Sequence, residues 1–492
     1  MDEVDAVVVG AGPNGLAAAV VLARAGLTVR VYERDACIGG GARTEELTLP
    51  GFQHDVGSAV HPLALSSGFF RCFELSRRIS LVIPEISYAQ PLDGGRAGIA
   101  WRELDRTVES LGRDGKAWNQ LFAPLVRNAD AVAQFAGSQI LQIPRHPLTV
   151  ARLGLRILEH GSAGWNMRWR TEEARAMLTG VNVHAIRPVP SLETAAAGLV
   201  LATAAHARGW PVPVGGSRSI IEAMADDIRA HGGEIITATE IRSIADLPPA
   251  RAVLFDVSPR ALARIAGARL PSGYLRALTR FRYGNAVAKV DYALSAAVPW
   301  QNPELARAGT LHVGGTRNEM RVSEADVAAG RHPLDPYVLV AQPTPFDASR
   351  APVGSHVLWA YTHVPRGSTA DRTEAITAKI ERYAPGFRDT IIASAHRSAA
   401  EFEHLNPNYI GGDIAAGDVT LPQLIARPVL SRAPWRTPGE GIYLCSSSTP
   451  PGPGVHGLAG YYAAVTALSD RFGIRTAPFL GLRGSSPNRD HA

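Results

Sequence analysis

Gly10, Gly12, Gly15 and Glu33 are the first residues whose types and spacing can do chemistry. The glycines stand as G-x-G-x-x-G, with Pro13 and Asn14 ahead of the third. Such a loop lets backbone N–H groups approach a pyrophosphate at the positive end of a helix. Glu33 follows 18 residues after Gly15, where a carboxylate can accept hydrogen bonds from a ribose 2′-hydroxyl. A second cluster, Gly39-Gly40-Gly41-Ala42-Arg43, comes just after this acid.

The elements that must position these residues are legible around them. Val7-Val8-Val9 is an apolar β-branched run suited to a buried parallel strand. Leu16, Ala17, Ala19, Val20, Leu22 and Ala23 give the apolar pattern of a helix opening from the glycines, and Gly26 suits its C′ position. Val29 and Val31 alternate in a second strand that ends at Glu33. Strand, glycine turn, helix, strand and acid together predict dinucleotide binding, which the glycines alone would not.

The second glycine cluster with Arg43 resembles the FAD signature of the phytoene desaturase and amine oxidase flavoprotein superfamily. The resemblance implies non-covalent FAD, with contacts from Gly10, Gly12, Pro13, Asn14, Gly15, Glu33, Arg34, Gly40, Gly41, Ala42 and Arg43. It places Gly57 and Ser58, after the Pro50-Gly51 turn, on a segment running towards the flavin, with His61 beyond them. Gly215-Gly216, a helix over Arg218 to His231, Gly232-Gly233 and a strand–turn–strand over Glu234 to Ile244 match the order of the family's second FAD segment. There the backbone near Ile241 would meet the adenine. The chain closes with a strand over Gly441 to Cys445, a Ser446-Ser447-Ser448 loop, Gly452, Gly454 and Gly457, and a helix from Leu458 to Arg471. The resemblance brings Gly454, Val455 and His456 to the ring and Ser447 near the ribityl chain. Three serines stand where many amine oxidase relatives carry an acid. Cys445 reads as a buried strand residue rather than a covalent flavin anchor.

The implied fold is α/β, with a Rossmann-like FAD-binding domain discontinuous in sequence. An inserted α+β substrate domain carries a helical region and a mixed or antiparallel sheet. The FAD segments are expected at 1–62, 211–274 and 429–476, the mainly helical substrate part at 63–210, its sheet part at 275–428, and a polar tail at 477–492. Helices are predicted over Thr107–Leu111, Trp118–Phe135, Val150–Glu159, Thr171–Leu178 and Thr194–His206, and strands over Val287–Leu294, Tyr337–Gln342 and His356–His363.

Bulk composition narrows the function classes. The 492 residues are 46% apolar and 19% charged, with a formal charge of +5 and no dense Lys/Arg block, so nucleic acid is not an expected partner. Cys37, Cys72 and Cys445 are scattered, without C-x-x-C, which argues against disulfide exchange, a disulfide framework and a zinc site; no metal is expected. No signal peptide or spanning run is visible, so a cytoplasmic location is expected, with peripheral membrane contact open. That contact would come from Leu148 to Leu158, with Arg152 and Arg156 on one face and Arg145, Arg168, Arg170, Trp165 and Trp169 nearby. The other reading of this helix is ordinary packing under a solvated arginine face.

The expected activity is hydride transfer from a C–H bond of a small apolar, isoprenoid- or lipid-like substrate to flavin. The acceptor stays open between oxygen, a quinone and a protein, and oligomeric state is open too. His61, Tyr409, Asp413 and His456 are the acid–base candidates. Asn406 to Ile414 is a rigid, polar loop of the kind that carries chemistry on a scaffold. Amine or amino-acid oxidation is the rival, with Trp300, Tyr361 and Tyr409 as aromatic-cage candidates; a non-catalytic FAD-binding protein is the other.

Overall fold

The computed structural model describes residues 3–482. Its first sheet has five parallel strands in the order Ile442–Leu444, Ala250–Phe255, Val4–Val9, Val29–Tyr32 and Glu234–Ile236. Three stretches far apart in sequence therefore build one Rossmann-like layer. Val4–Val9 is the central strand and its valines are buried, as helices on both faces require. Pro13–Arg24, Arg218–Ala230 and Leu458–Phe472 share one core with this sheet, through Val20, Ile220, Met224, Ala463 and Ala467. Pro259–Ala266 and Ser272–Arg280 pack a second, through Leu262, Ile265 and Leu278.

Small residues set how closely these helices approach. A Cβ on Gly460 would run into the Asn14 carbonyl, so the last helix rests directly on the start of the first. Gly26, with φ +81°, ends the first helix.

The substrate half is organised by a seven-stranded sheet. Its order is Ile391–Arg397, Ala286–Leu294, His356–Val364, Val338–Ala341, Thr310–Val313, Ile86–Pro91 and Ala97–Trp101. All pairings are antiparallel except that of Thr310–Val313 with Ile86–Pro91, so the sheet is mixed. Two of its strands come from residues 86–101, inside the stretch expected to be mainly helical. Every residue of Ile86–Pro91 is buried, so no polar alternation marks it as a strand. Helices Glu172–Asn182 and Leu192–Ala207 cover one face of this region, joining Tyr88 and Ala100 to a core with Trp118 and Leu199.

Other expectations are corrected locally. The single helix over Trp118–Phe135 is two, Gly115–Val126 and Ala129–Ala136. Pro124 sits in the last turn of the first, and the Asn128 side chain donates to its carbonyl at 2.9 Å. Beyond Glu234–Ile236 no second strand follows: the chain turns at Ala238, whose φ is +52°, and the Thr239 N–H donates to the Glu33 carbonyl at 2.8 Å. The segment after 476 is not wholly polar or loose. Leu480 is buried in the nucleotide-domain core, and Arg24 donates to the Gly481 carbonyl at 2.9 Å. The tail residues Ser485 to Ala492 lie outside the described residues. No helix among the described residues is long and apolar enough to cross a membrane.

One buried carboxylate links the two halves. Asp55 accepts from Thr44 Oγ1 at 2.7 Å, from the Ser217 N–H at 2.8 Å and from Arg350 at 2.6 Å. Asp55 and Arg350 are both buried, so removing one charge leaves the other desolvated and unpaired. Asp55→Asn should destabilise the protein by about 3–5 kcal/mol in denaturant unfolding. A loss below about 1 kcal/mol would mean that water reaches the pair.

Candidate functional site

One cavity of about 650 Å³ runs from the glycine loop of the first sheet to the seven-stranded sheet and the helical region. Gly10, Gly12, Pro13, Asn14, Glu33, Arg34, Gly40, Gly41 and Arg43 line its nucleotide end, and Ile241 adds an apolar wall there. Gly57, Ser58, Ser447, Gly454 and Val455 line it further along. Gly15 and Ala42 do not line it; they pack the loop from behind. A Cβ on Gly15 would run into the Gly10 carbonyl, and Ala42 is fully buried.

The loop geometry fits a dinucleotide. Cβ atoms on Gly10 and Gly12 would lie 2.7 Å from oxygens of Asp256, so only glycine admits this approach. The Glu33 carboxylate accepts from the N–H groups of Ala11 at 2.8 Å and Asp35 at 3.0 Å, which fixes it at the strand end. Arg43 is held by Asp35 and Glu45, each at 3.2 Å. Asn14 donates to Ser447 at 3.3 Å, and its buried Oδ1 has no hydrogen-bond partner in the structure. The first and last segments thus meet at the cavity, with a free acceptor between them.

The four acid–base candidates separate by what their polar atoms touch. Asp413 is buried and accepts from the N–H groups of Gly284 at 2.7 Å and of Ala415 and Gly417 at 2.9 Å. It is a loop brace and does not line the cavity. His456 donates from Nε2 to the Gly452 carbonyl at 3.2 Å and accepts the Leu458 N–H on Nδ1 at 3.1 Å. Both nitrogens are committed to starting the last helix, burial lowers its pKa to about 4, and its ring does not line the cavity. Tyr409 does line it, but at the nucleotide end: its phenol lies where a Cβ on Gly41 would be. The loop anchors there through Asn408, which accepts the Ser258 N–H at 2.7 Å.

His61 differs from the other three. It lines the cavity and its Nε2 lies 2.8 Å from Ser217 Oγ. Ser217 itself donates to the Ser58 carbonyl, so the shared proton belongs to His61 Nε2. Nδ1 is then an acceptor, buried and without a partner. Burial lowers the imidazole to about 4, so it is neutral near pH 7.

Three cavity residues escaped the sequence reading. Lys289 is buried in Ala286–Leu294 and donates to Asp291. Lysine and aspartate two apart in AVAKVDYAL share one strand face, and a charged pair inside an apolar strand is the signal that could have found them. Trp359 lines the cavity beside Tyr361, their rings 5.1 Å apart and edge-on. Trp300 does not join them; it lies in the sheet core, donating to Gln342 at 3.1 Å. Asp256 is the third. Its Oδ2 accepts the Gly15 N–H at 2.8 Å, at the start of the first helix.

Residues 8–71 match the NAD(P)-binding Rossmann-like domain family. The rat "Pyridine nucleotide-disulfide oxidoreductase domain-containing protein 2" is 26% identical, covering 95% of this chain and 94% of its own. The "zeta-carotene-forming phytoene desaturase" of Myxococcus xanthus is also 26% identical, covering 73% of this chain and 72% of its own. Putrescine oxidase bound to putrescine superposes with a TM-score of 0.58 at 18% identity, over 95% of this chain and 99% of that one. The chain is phytoene desaturase-like in sequence and amine oxidase-like in fold. Its residues 8–71 carry a Rossmann-like domain match, and its cavity sits where the two halves of the fold meet. The chain has no C-x-x-C, and its three cysteines are unpaired in the structure, Cys445 being buried in the core and Cys37 exposed at the cavity.

Asp256 generates a pH prediction. Burial, with Glu33 nearby, pushes its carboxyl up to about 7, against the opposing pull of the Gly15 N–H. Below that value the carboxyl is neutral; above it a carboxylate shares the helix start with the incoming pyrophosphate. Dinucleotide affinity should therefore fall as pH rises through 7, and Asp256→Asn should remove the fall. Calorimetric titration of the apoprotein across that range checks both. A flat wild-type profile, or a variant that keeps the slope, contradicts the assignment.

Proposed function

We propose that this protein is an FAD-dependent oxidoreductase that takes a hydride from a C–H bond of an apolar, isoprenoid- or lipid-like substrate. The observation that carries the reading is the continuity of one cavity from a dinucleotide loop to a wall of Leu153, Ile157, Val200, Leu201 and Leu339. The residues present suit FAD: the glycine approach, the strand-end acid, Arg43 and the unpartnered Asn14 Oδ1 all lie at one end. Bound there, FAD supplies the hydride acceptor and the protein supplies position and environment.

The chain's own residues have distinct work. The aliphatic wall binds the substrate and excludes water. Ser217 holds the His61 ring in the tautomer that leaves Nδ1 basic. Removing two hydrogens across a carbon–carbon bond sends one out as hydride and the other as a proton, and Nδ1 is the free acceptor for that proton. Lys289, paired with Asp291, places a buried polar pair in the same wall.

Amine oxidation is the second reading, favoured by the aromatic pair Trp359 and Tyr361. Lys289 weighs against it, because its Nζ already occupies a place 5.6 Å from the Trp359 ring centroid with Asp291 as its partner, so neither is left to hold an amine.

Anaerobic mixing of the purified holoprotein with candidate substrates separates these readings. Bleaching of the flavin band by an apolar polyene, and not by aliphatic amines, is the expected result. Bleaching by amines alone would establish the second reading; an unchanged oxidised spectrum with every compound would leave a binding protein. His61→Asn should slow the bleaching by about a hundred-fold with flavin content intact.

A further inference from the structure

The helix Pro147–His160 and the loop before it present an apolar face that none of the described residues covers. Leu148 is 86% exposed, Leu155 67% and Leu158 55%, and Ile143 in the preceding loop is 94% exposed. Leu148, Leu155 and Leu158 recur at helical spacing, so they form one outward stripe, with Arg152 between them. Leu153, Ile157 and His160 face the other way; Leu153 and His160 are buried. The helix is thus packed by one side and apolar on the other. The outward face carries the exposed Arg152 together with these leucines. Scattered exposed leucines are ordinary on a protein surface, but four large aliphatic side chains along one helix and the loop that leads into it are not.

Charge and cavity both point to what covers this face. Residues 137–170 carry five arginines, at 145, 152, 156, 168 and 170, against one glutamate. That glutamate, Glu159, is already paired with Arg156 at 2.5 Å and Arg168 at 2.7 Å. Trp165 and Trp169 turn inward and are buried, so they are core residues and not interfacial anchors. Ile140 is both 40% exposed and part of the cavity wall, and Leu153 and Ile157 line the same end. The helix therefore has one side against the cavity, through Leu153 and Ile157, and the apolar stripe on the opposite side.

We propose that this face docks on an anionic lipid bilayer. Ile143, Leu148, Leu155 and Leu158 enter the acyl boundary, and the exposed Arg152 within the stripe meets the headgroup charges. Binding of this kind lies on the membrane and needs no spanning helix. The docking does not depend on which substrate the cavity oxidises, so it stands or falls separately from the proposed activity.

Co-sedimentation of the purified holoprotein with two kinds of vesicle tests it: phosphatidylcholine alone, and phosphatidylcholine with phosphatidylserine. The protein should pellet with the anionic vesicles and much less with the neutral ones. A combined Ile143→Ser, Leu148→Ser, Leu155→Ser variant should bind at least about tenfold more weakly, with unchanged thermal unfolding and flavin content, since these side chains touch solvent. Arg152→Gln should reduce the preference for phosphatidylserine. Wild-type protein left in the supernatant with both vesicle types overturns the proposal, as does a triple variant that pellets like the wild type. A wild-type dimer that the triple variant dissolves, without vesicle binding by either, would assign the face to a second copy of the chain instead.

Discussion

Gly15 has no room for a side chain, because the Gly10 carbonyl occupies the space a Cβ would take. The same constraint recurs at each seam of the nucleotide domain. A Cβ on Gly57 would collide with the Gly41 carbonyl, and one on Gly460 with the Asn14 carbonyl. Backbone therefore meets backbone where the first helix starts, where the second glycine cluster turns and where the last helix arrives. This contact lets three stretches separated by about two hundred residues each share one sheet and one cavity end. It also leaves Gly12, Pro13 and Asn14 lining the cavity at the positive end of the first helix, where an anion is favoured and where the Asp256 carboxylate already holds the Gly15 N–H.

Polar staples hold the two halves around that contact. Asp55 ties residues 44, 217 and 350; Asp413 gathers three backbone N–H groups; Arg427, buried, donates to the carbonyls of Ala415 at 2.8 Å and Ser447 at 2.9 Å. Burial makes each expensive to leave unpaired, so each specifies an arrangement more than it adds net stability. Arg427 is spent on carbonyls in this way and offers no guanidinium edge for a substrate carboxylate. His61 is the exception among these committed groups: it lines the cavity and its buried Nδ1 has no hydrogen-bond partner.

The opening unit was legible because its signals are local. Glycine spacing, a proline at the first helical position, valine runs and an acid at a fixed distance each act through neighbours in sequence. Residues 86–101 were not, because strands buried on both faces lose the alternation that identifies them. The catalytic candidates show a different limit. Tyr409, Asp413 and His456 have reactive side chains in irregular loops, but two of them are consumed in bracing those loops and one lies against Gly41. Lys289 and Trp359 reach the cavity through sheet pairing across about seventy residues, and Asp256 reaches Gly15 from 241 residues away. Such partners are set by topology, and residue type alone does not reveal them.

The most direct test of this account is the identity and amount of the cofactor released when the purified protein is denatured. Visible absorbance and mass spectrometry of the released molecule should show FAD, close to one per chain and free of covalent linkage. A colourless protein that cannot be reconstituted with FAD, or one that releases a nicotinamide dinucleotide instead, would contradict it.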